Sequence, residues 1–163
     1  MSGMSAFTAF HVLLSLVGIA AGFVVVVGLL LAKRLPGWTA TFLVTTVLTS
    51  VTGFMFPVHH FLPSHCVGIV SMIALTLAIY ALYMRRLAGG WRRVYVINAV
   101  IAQYLNFFVL IVQLFQKVPA LKVLAPTQSE GPFKLAQLAA LVLFIVLGIL
   151  ATKKFRLDPL QPA

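Results

Sequence analysis

The sequence predicts an all-α integral membrane protein: a single transmembrane domain over residues 1–163, built as a five-helix bundle with the N-terminus outside and the C-terminus cytoplasmic. Three observations carry this expectation. The chain is 62% hydrophobic and 9% charged, with a mean hydropathy of +1.10, too apolar to cover a water-soluble surface. Charges, Pro and Gly cut it into apolar stretches near the roughly 20 residues that cross about 30 Å of hydrocarbon. The basic residues gather at alternate ends of those stretches.

The first span covers residues 7–32. It lacks the basic start of a secretory signal, runs longer than a signal's apolar core and stops at Lys33-Arg34, so it reads as a retained helix. The short turn Leu35-Pro36-Gly37 folds it back on span two, residues 38–56. A short connection through His65 leads to span three, residues 66–84, which opens on the chain's single cysteine, Cys66. One cysteine excludes an internal disulfide, and Cys66 reads as a small packing residue. The basic turn at 87–91 makes spans three and four (residues 94–116) a second antiparallel hairpin.

The one long connection, residues 118–134, carries three prolines and Glu130. Loops of this length in economical chains are functional or cap a bundle. Glu130 precedes span five, residues 135–152, where a negative charge and Pro132 suit a helix start. This predicts a capping role, with Lys117 or Lys134 as counter-ion. No internal repeat is present.

Orientation follows from the cations. Lys33, Arg34, Arg85, Arg86, Arg92, Arg93, Lys153, Lys154 and Arg156 share one side of this threading, against Lys117, Lys122 and Lys134 on the other. The positive-inside rule puts the richer side in the cytoplasm. The net charge of +10 therefore reads as a topology signal that meets anionic lipid head groups, and no basic arm or domain suggests nucleic acid.

Polar side chains inside a span are costly and should face other helices or a cavity. At 100° per residue, His11, Ser15, Gly18 and Gly22 fall within about 60° on span one. Thr41, Thr45, Thr49 and Thr52 form a stripe on span two. Asn98, Asn106, Gln113 and Gln116 lie within about 80° on span four, with Gln103 and Tyr104 beside them. These stripes either bond helix to helix or enclose an outward-facing polar pocket between spans one, two and four. No Asp or Glu lies within a span, which argues against a carboxylate proton relay or a cation-coupled transporter.

The histidines add sharper chemistry. His11 and the segment holding His59, His60 and His65 fall at one membrane level. His11 paired with His59 or His60 could supply the two axial ligands of a b-type haem. His59, His60, His65 and Cys66 are also candidate ligands for copper or zinc, with His11 at the same level. Alternatively, His11 or His59 hydrogen-bonds a quinone carbonyl or a lipid, and the Asn/Gln face of span four completes the site.

The runs Gly37-Trp38-Thr39-Ala40, Leu48-Thr49-Ser50-Val51-Thr52-Gly53-Phe54 and Tyr104-Leu105-Asn106-Phe107-Phe108-Val109-Leu110 resemble those of a group of small bacterial integral membrane proteins. So do Lys117-Val118-Pro119-Ala120-Leu121 and Leu124-Ala125-Pro126-Thr127-Gln128-Ser129-Glu130. The resemblance spans most of the chain and implies a multi-pass protein of the bacterial inner (plasma) membrane. That group has no assigned activity, so no catalytic residue carries over. Cytochrome b561-type bundles are a more distant likeness, and their histidine pattern is not matched.

The leading expectation is a redox-associated haem- or quinone-binding subunit. His11 and His59 would act as ligands or donors, and Gln103, Asn106 and Gln113 would form the polar wall. The alternatives are a non-enzymatic accessory or scaffold subunit of a larger membrane complex or homo-oligomer, and a conduit for a neutral solute.

Overall fold

The computed structural model describes residues 2–56 and 63–156, and among them every regular element is helical. The long helices are α1 (Ser2–Leu30), α2 (Pro36–Phe54), α3 (Pro63–Ile79), α4 (Trp91–Lys117) and α6 (Gly131–Lys154), with a short α5 (Pro119–Leu124) before the last. Four segments are long and apolar enough to cross a membrane: Ala6–Leu30, His65–Met84, Trp91–Lys117 and Gly131–Lys154. The chain is a multi-pass membrane protein. At 19 residues α2 is long enough as well, but its six threonines make it less apolar than the other four.

The reversals explain where the helices stop. α1 ends with Ala32 in the left-handed region (φ 55°) and the Lys33 amide bonded back to the Gly28 carbonyl at 2.8 Å. This is the 6→1 bond of a Schellman closure. Pro36 then starts α2, where a missing N–H costs nothing. α3 widens into a π-turn at Tyr80–Met84, with the Arg85 amide on the Tyr80 carbonyl at 3.0 Å. Arg86 and Leu87 both adopt positive φ, and Arg85 lies over the Trp91 ring, 5.2 Å from its centroid.

Around the bundle α2 packs between α1 and α3, while α4 packs against α1, α3 and α6. Small residues permit this closeness: Ala21, Ala78, Ala99, Ala102 and Ala151 are buried at the helix contacts. Such residues let helices approach where lipid removes the hydrophobic drive for association. Large apolar side chains such as Leu13, Val27, Leu135 and Ile149 point outward, as a hydrocarbon environment requires.

The long connection is more structured than an open loop. It contains α5, and Ala125 is fully buried in a second core cluster with Ile111, Phe115 and Ala140. Gln128, at φ 60°, donates its side-chain N–H to the Val112 carbonyl at 2.9 Å and so fastens the loop to α4. Glu130 occupies the N-cap position of α6, but its carboxylate makes no cap there. It turns back onto the loop and accepts from the Thr127 hydroxyl (2.8 Å), the Thr127 amide (3.1 Å) and the Ser129 amide (3.0 Å). The expected helix-capping role is thus replaced by a loop-closing one, with the loop's own hydroxyl and amides as the donors.

Candidate functional site

Two ends of the bundle bring chemistry together. The first is the histidine end, where α1 meets α2. His11 Nδ1 lies 2.7 Å from the Thr52 hydroxyl oxygen. That hydroxyl already donates its single proton to a carbonyl of its own helix, Leu48 at 2.7 Å or Thr49 at 3.2 Å. The hydroxyl and the imidazole thus share one hydrogen-bonded cluster with the α2 backbone, and Nδ1 is the ring nitrogen engaged in it. The Phe56 ring stands edge-on to His11 at 5.1 Å and also contacts Phe7. Ser15 donates to the His11 carbonyl at 2.8 Å.

Deeper in the bundle, Asn106 donates to the Thr46 hydroxyl at 3.1 Å, joining α4 to α2. Gln103 donates to the Ile19 carbonyl at 2.9 Å, joining α4 to α1. Gln103 is 0% exposed, and Gly22 is what admits it: a Cβ at Gly22 would lie 1.8 Å from Gln103 Oε1 and 2.9 Å from the Phe42 ring. At Gly18 the corresponding atom would meet the Thr45 and Thr46 hydroxyls at 3.1 and 3.3 Å. The α1 stripe thus faces α2 and α4. Gln103 Oε1 and the Thr49 hydroxyl are buried without a partner.

Other candidates fall elsewhere. Gln113 is exposed on α4, two turns beyond Asn106, and does not join the bonded group. His65 packs against Phe54 at 5.8 Å, on the α2–α3 side. His59 and His60 lie outside the described residues. Among the described residues no three His, Cys, Asp or Glu side chains come together as a metal site. The threonine stripe of α2 is mostly self-bonded, Thr41 to the Gly37 carbonyl and Thr45 to the Thr41 carbonyl. The threonines that reach across helices are Thr46, absent from that stripe, and Thr52.

The second end is basic. A cavity of about 90 Å³ opens where both hairpin turns meet the C-terminal end of α6. Lys33, Arg34, Thr39, Tyr83 and Tyr95 supply its polar lining. Tyr95 is 3% exposed and lines the cavity together with the buried Thr39 side chain. Arg92 donates to the Phe155 carbonyl and ties the end of α6 to α4. Nothing in the polar stripes pointed here; the signal was Thr39 and Tyr95, each one turn inside a basic helix start.

A larger groove of about 460 Å³ runs between α4 and α6. It is apolar, with Tyr104, Thr152 and Lys153 as its polar margin.

No protein-family model, curated protein or solved structure matches this chain. Its chemistry therefore rests on these two ends. The histidine end can lock helices and present one imidazole, while the basic end can surround an anion.

Proposed function

We propose that this chain is a five-span, non-enzymatic accessory or scaffold subunit of the bacterial inner membrane. Its partner is a larger membrane complex or a second copy. The observation that carries the reading is the way the polar interior is used. His11 bonds to Thr52, Asn106 to Thr46 and Gln103 to the Ile19 carbonyl, so α1, α2 and α4 are linked pairwise. At Gly22 the α1 backbone lies directly against Gln103 and the Phe42 ring. Interhelical bonds of this kind contribute about 0.6–2 kcal/mol each in a membrane, enough together to set which faces meet.

α2 is the fifth span in this reading. Its 19 residues would extend about 28 Å, it packs between two spanning helices, and its Thr41, Thr45 and Thr52 hydroxyls return to their own backbone. The basic end lies in the cytoplasm by the positive-inside rule. In a Cys66→Ser background, an impermeant thiol reagent should label Ser129→Cys from outside and leave Gly90→Cys unlabelled. Gly90 suits the probe because a side chain there meets open space. The reverse labelling would overturn the orientation.

A redox reading keeps one specific support: His11 Nδ1 is hydrogen-bonded to the Thr52 hydroxyl at 2.7 Å, the kind of outer contact that orients an axial histidine. Protein purified in mild detergent from haem-replete cells decides between the readings. The accessory reading expects no Soret band, oxidised or dithionite-reduced, and no stoichiometric quinone in the lipid extract. A Soret band abolished by His11→Ala would replace it with haem binding, and a quinone retained by wild type but lost in His11→Ala would replace it with quinone binding.

A further inference from the structure

The basic end holds more than a topology signal requires. Positive-inside charges need only stand near the span ends, exposed to water and head groups. Here Lys33 and Arg34, themselves exposed, also border a cavity with the buried Tyr95 and Thr39 side chains and with Tyr83. Arg34 and Tyr83 both lie within electrostatic reach of the Tyr95 hydroxyl. No carboxylate lines this cavity among the described residues. Glu130, on the loop before α6, belongs to the opposite end.

Two backbone features add to the same field. α2 starts at this cavity with no side-chain cap, and Pro36 and Leu35 are themselves lining residues. The Thr39 amide is bonded to the Leu35 carbonyl at 2.8 Å, so the Gly37 and Trp38 amides are the unsatisfied donors of the first turn, beside the cavity and not in its lining. The positive end of the α2 dipole therefore faces the side where the two cations stand. One water occupies about 10–15 Å³ by this measure, so about 90 Å³ has room for several waters or one tetrahedral oxyanion.

We propose that this cavity binds a single phosphate group, with Lys33 and Arg34 as counter-charges and donors and the Tyr95 and Thr39 side chains as its buried wall. Two sources carry that chemistry: the head group of an anionic phospholipid in the adjacent leaflet, and a small free phosphate species. Arginine pairs with phosphate through two parallel bonds, which makes Arg34 the main determinant.

The test uses full-length protein in detergent. Native mass spectrometry follows retained phosphatidylglycerol against phosphatidylcholine, and tryptophan fluorescence follows titration with inorganic phosphate. Trp38 lies in the α2 first turn and Trp91 at the start of α4, so both report from this end. Wild type should retain phosphatidylglycerol, or bind phosphate, about tenfold better than Arg34→Gln, as expected for a lost charge-assisted contact. Arg93→Gln removes an equal charge outside the cavity and should leave binding near the wild-type level.

Tyr95→Phe keeps the packing, and a several-fold loss there ties binding to the buried wall. Lipid retention without a phosphate response identifies the head group as the ligand, and the converse identifies a free anion. Equal losses in Arg34→Gln and Arg93→Gln would mean diffuse surface attraction and overturn the site. Failure of wild type to bind either probe would overturn it too.

Discussion

The two ends of this bundle use polar side chains in opposite ways. At the histidine end and the layer beneath it, His11, Thr52, Asn106, Thr46 and Gln103 are bonded across helix seams, and the space is filled up to Gly22. At the basic end, Lys33, Arg34, Thr39, Tyr83 and Tyr95 surround open volume. Intramembrane polarity alone therefore does not mark a binding site. What distinguishes a site is polarity facing a space, together with charge that no carboxylate among the described lining residues offsets.

Gly22→Ala is the strongest way to break the contrast. Its Cβ would fall 1.8 Å from Gln103 Oε1, so Gln103 must leave or α1 must separate from α4. Overpacking of this kind costs about 1–3 kcal/mol, with an unpaired buried amide adding to it. Thermal unfolding in detergent should show a marked fall in Tm, and Gly22→Ala combined with Gln103→Ala should recover much of it. An unchanged Tm in the single variant would mean that the seam is loose and a pocket there is feasible.

A smaller effect is expected at the seam between α1 and α2. A double-mutant cycle with His11→Leu and Thr52→Val should give a coupling of about 0.6–2 kcal/mol, the range for interhelical hydrogen bonds in membranes. Zero coupling would remove His11 from the structural framework and strengthen its reading as a ligand. Asn106→Leu should cost less than Gly22→Ala, about 1 kcal/mol, because Thr46 can return its hydroxyl to its own helix.

How much of this contrast was legible in the sequence depends on the kind of signal. Apolar length and basic breaks located all five long helices to within a few residues, since span length and Lys/Arg placement are local properties. The α1 stripe was legible because Gly18 and Gly22 sit at helical spacing from His11. On α2 the threonine stripe at 41, 45, 49 and 52 misled. Threonine satisfies itself through its own carbonyls, so a run of threonines does not reveal which one a neighbour needs. Thr46 is singled out only by Asn106, 60 positions away. The cavity at the basic end depends on how two hairpin turns and Phe155 meet, which is tertiary information that no spacing carries. Likewise Gln113 shares a helical face with Asn106 but is exposed, while Ile111 and Phe115 beside it are buried.

The smallest expected effect belongs to Glu130, and it sharpens the comparison by adding a charge held by hydroxyl and amide donors. Its carboxyl is held below the ordinary value of 4.5, chiefly by the Thr127 hydroxyl and further by the Thr127 and Ser129 amides. A carboxylate whose folded pKa is depressed contributes stability that is complete above the unfolded value and is lost as pH falls through the folded one. Loop attachment should therefore hold at neutral pH and weaken progressively as pH falls below about 4.5. Glu130→Gln should remove that dependence while leaving Tm at pH 7 only slightly reduced, because the group faces water. Hydrogen exchange at Thr127 and Ser129 reads this directly. Protection that drops with acid in wild type and stays flat in the variant would identify the carboxylate as the closure of the loop, whereas parallel acid loss in both would assign the closure to Gln128 and its bond to α4.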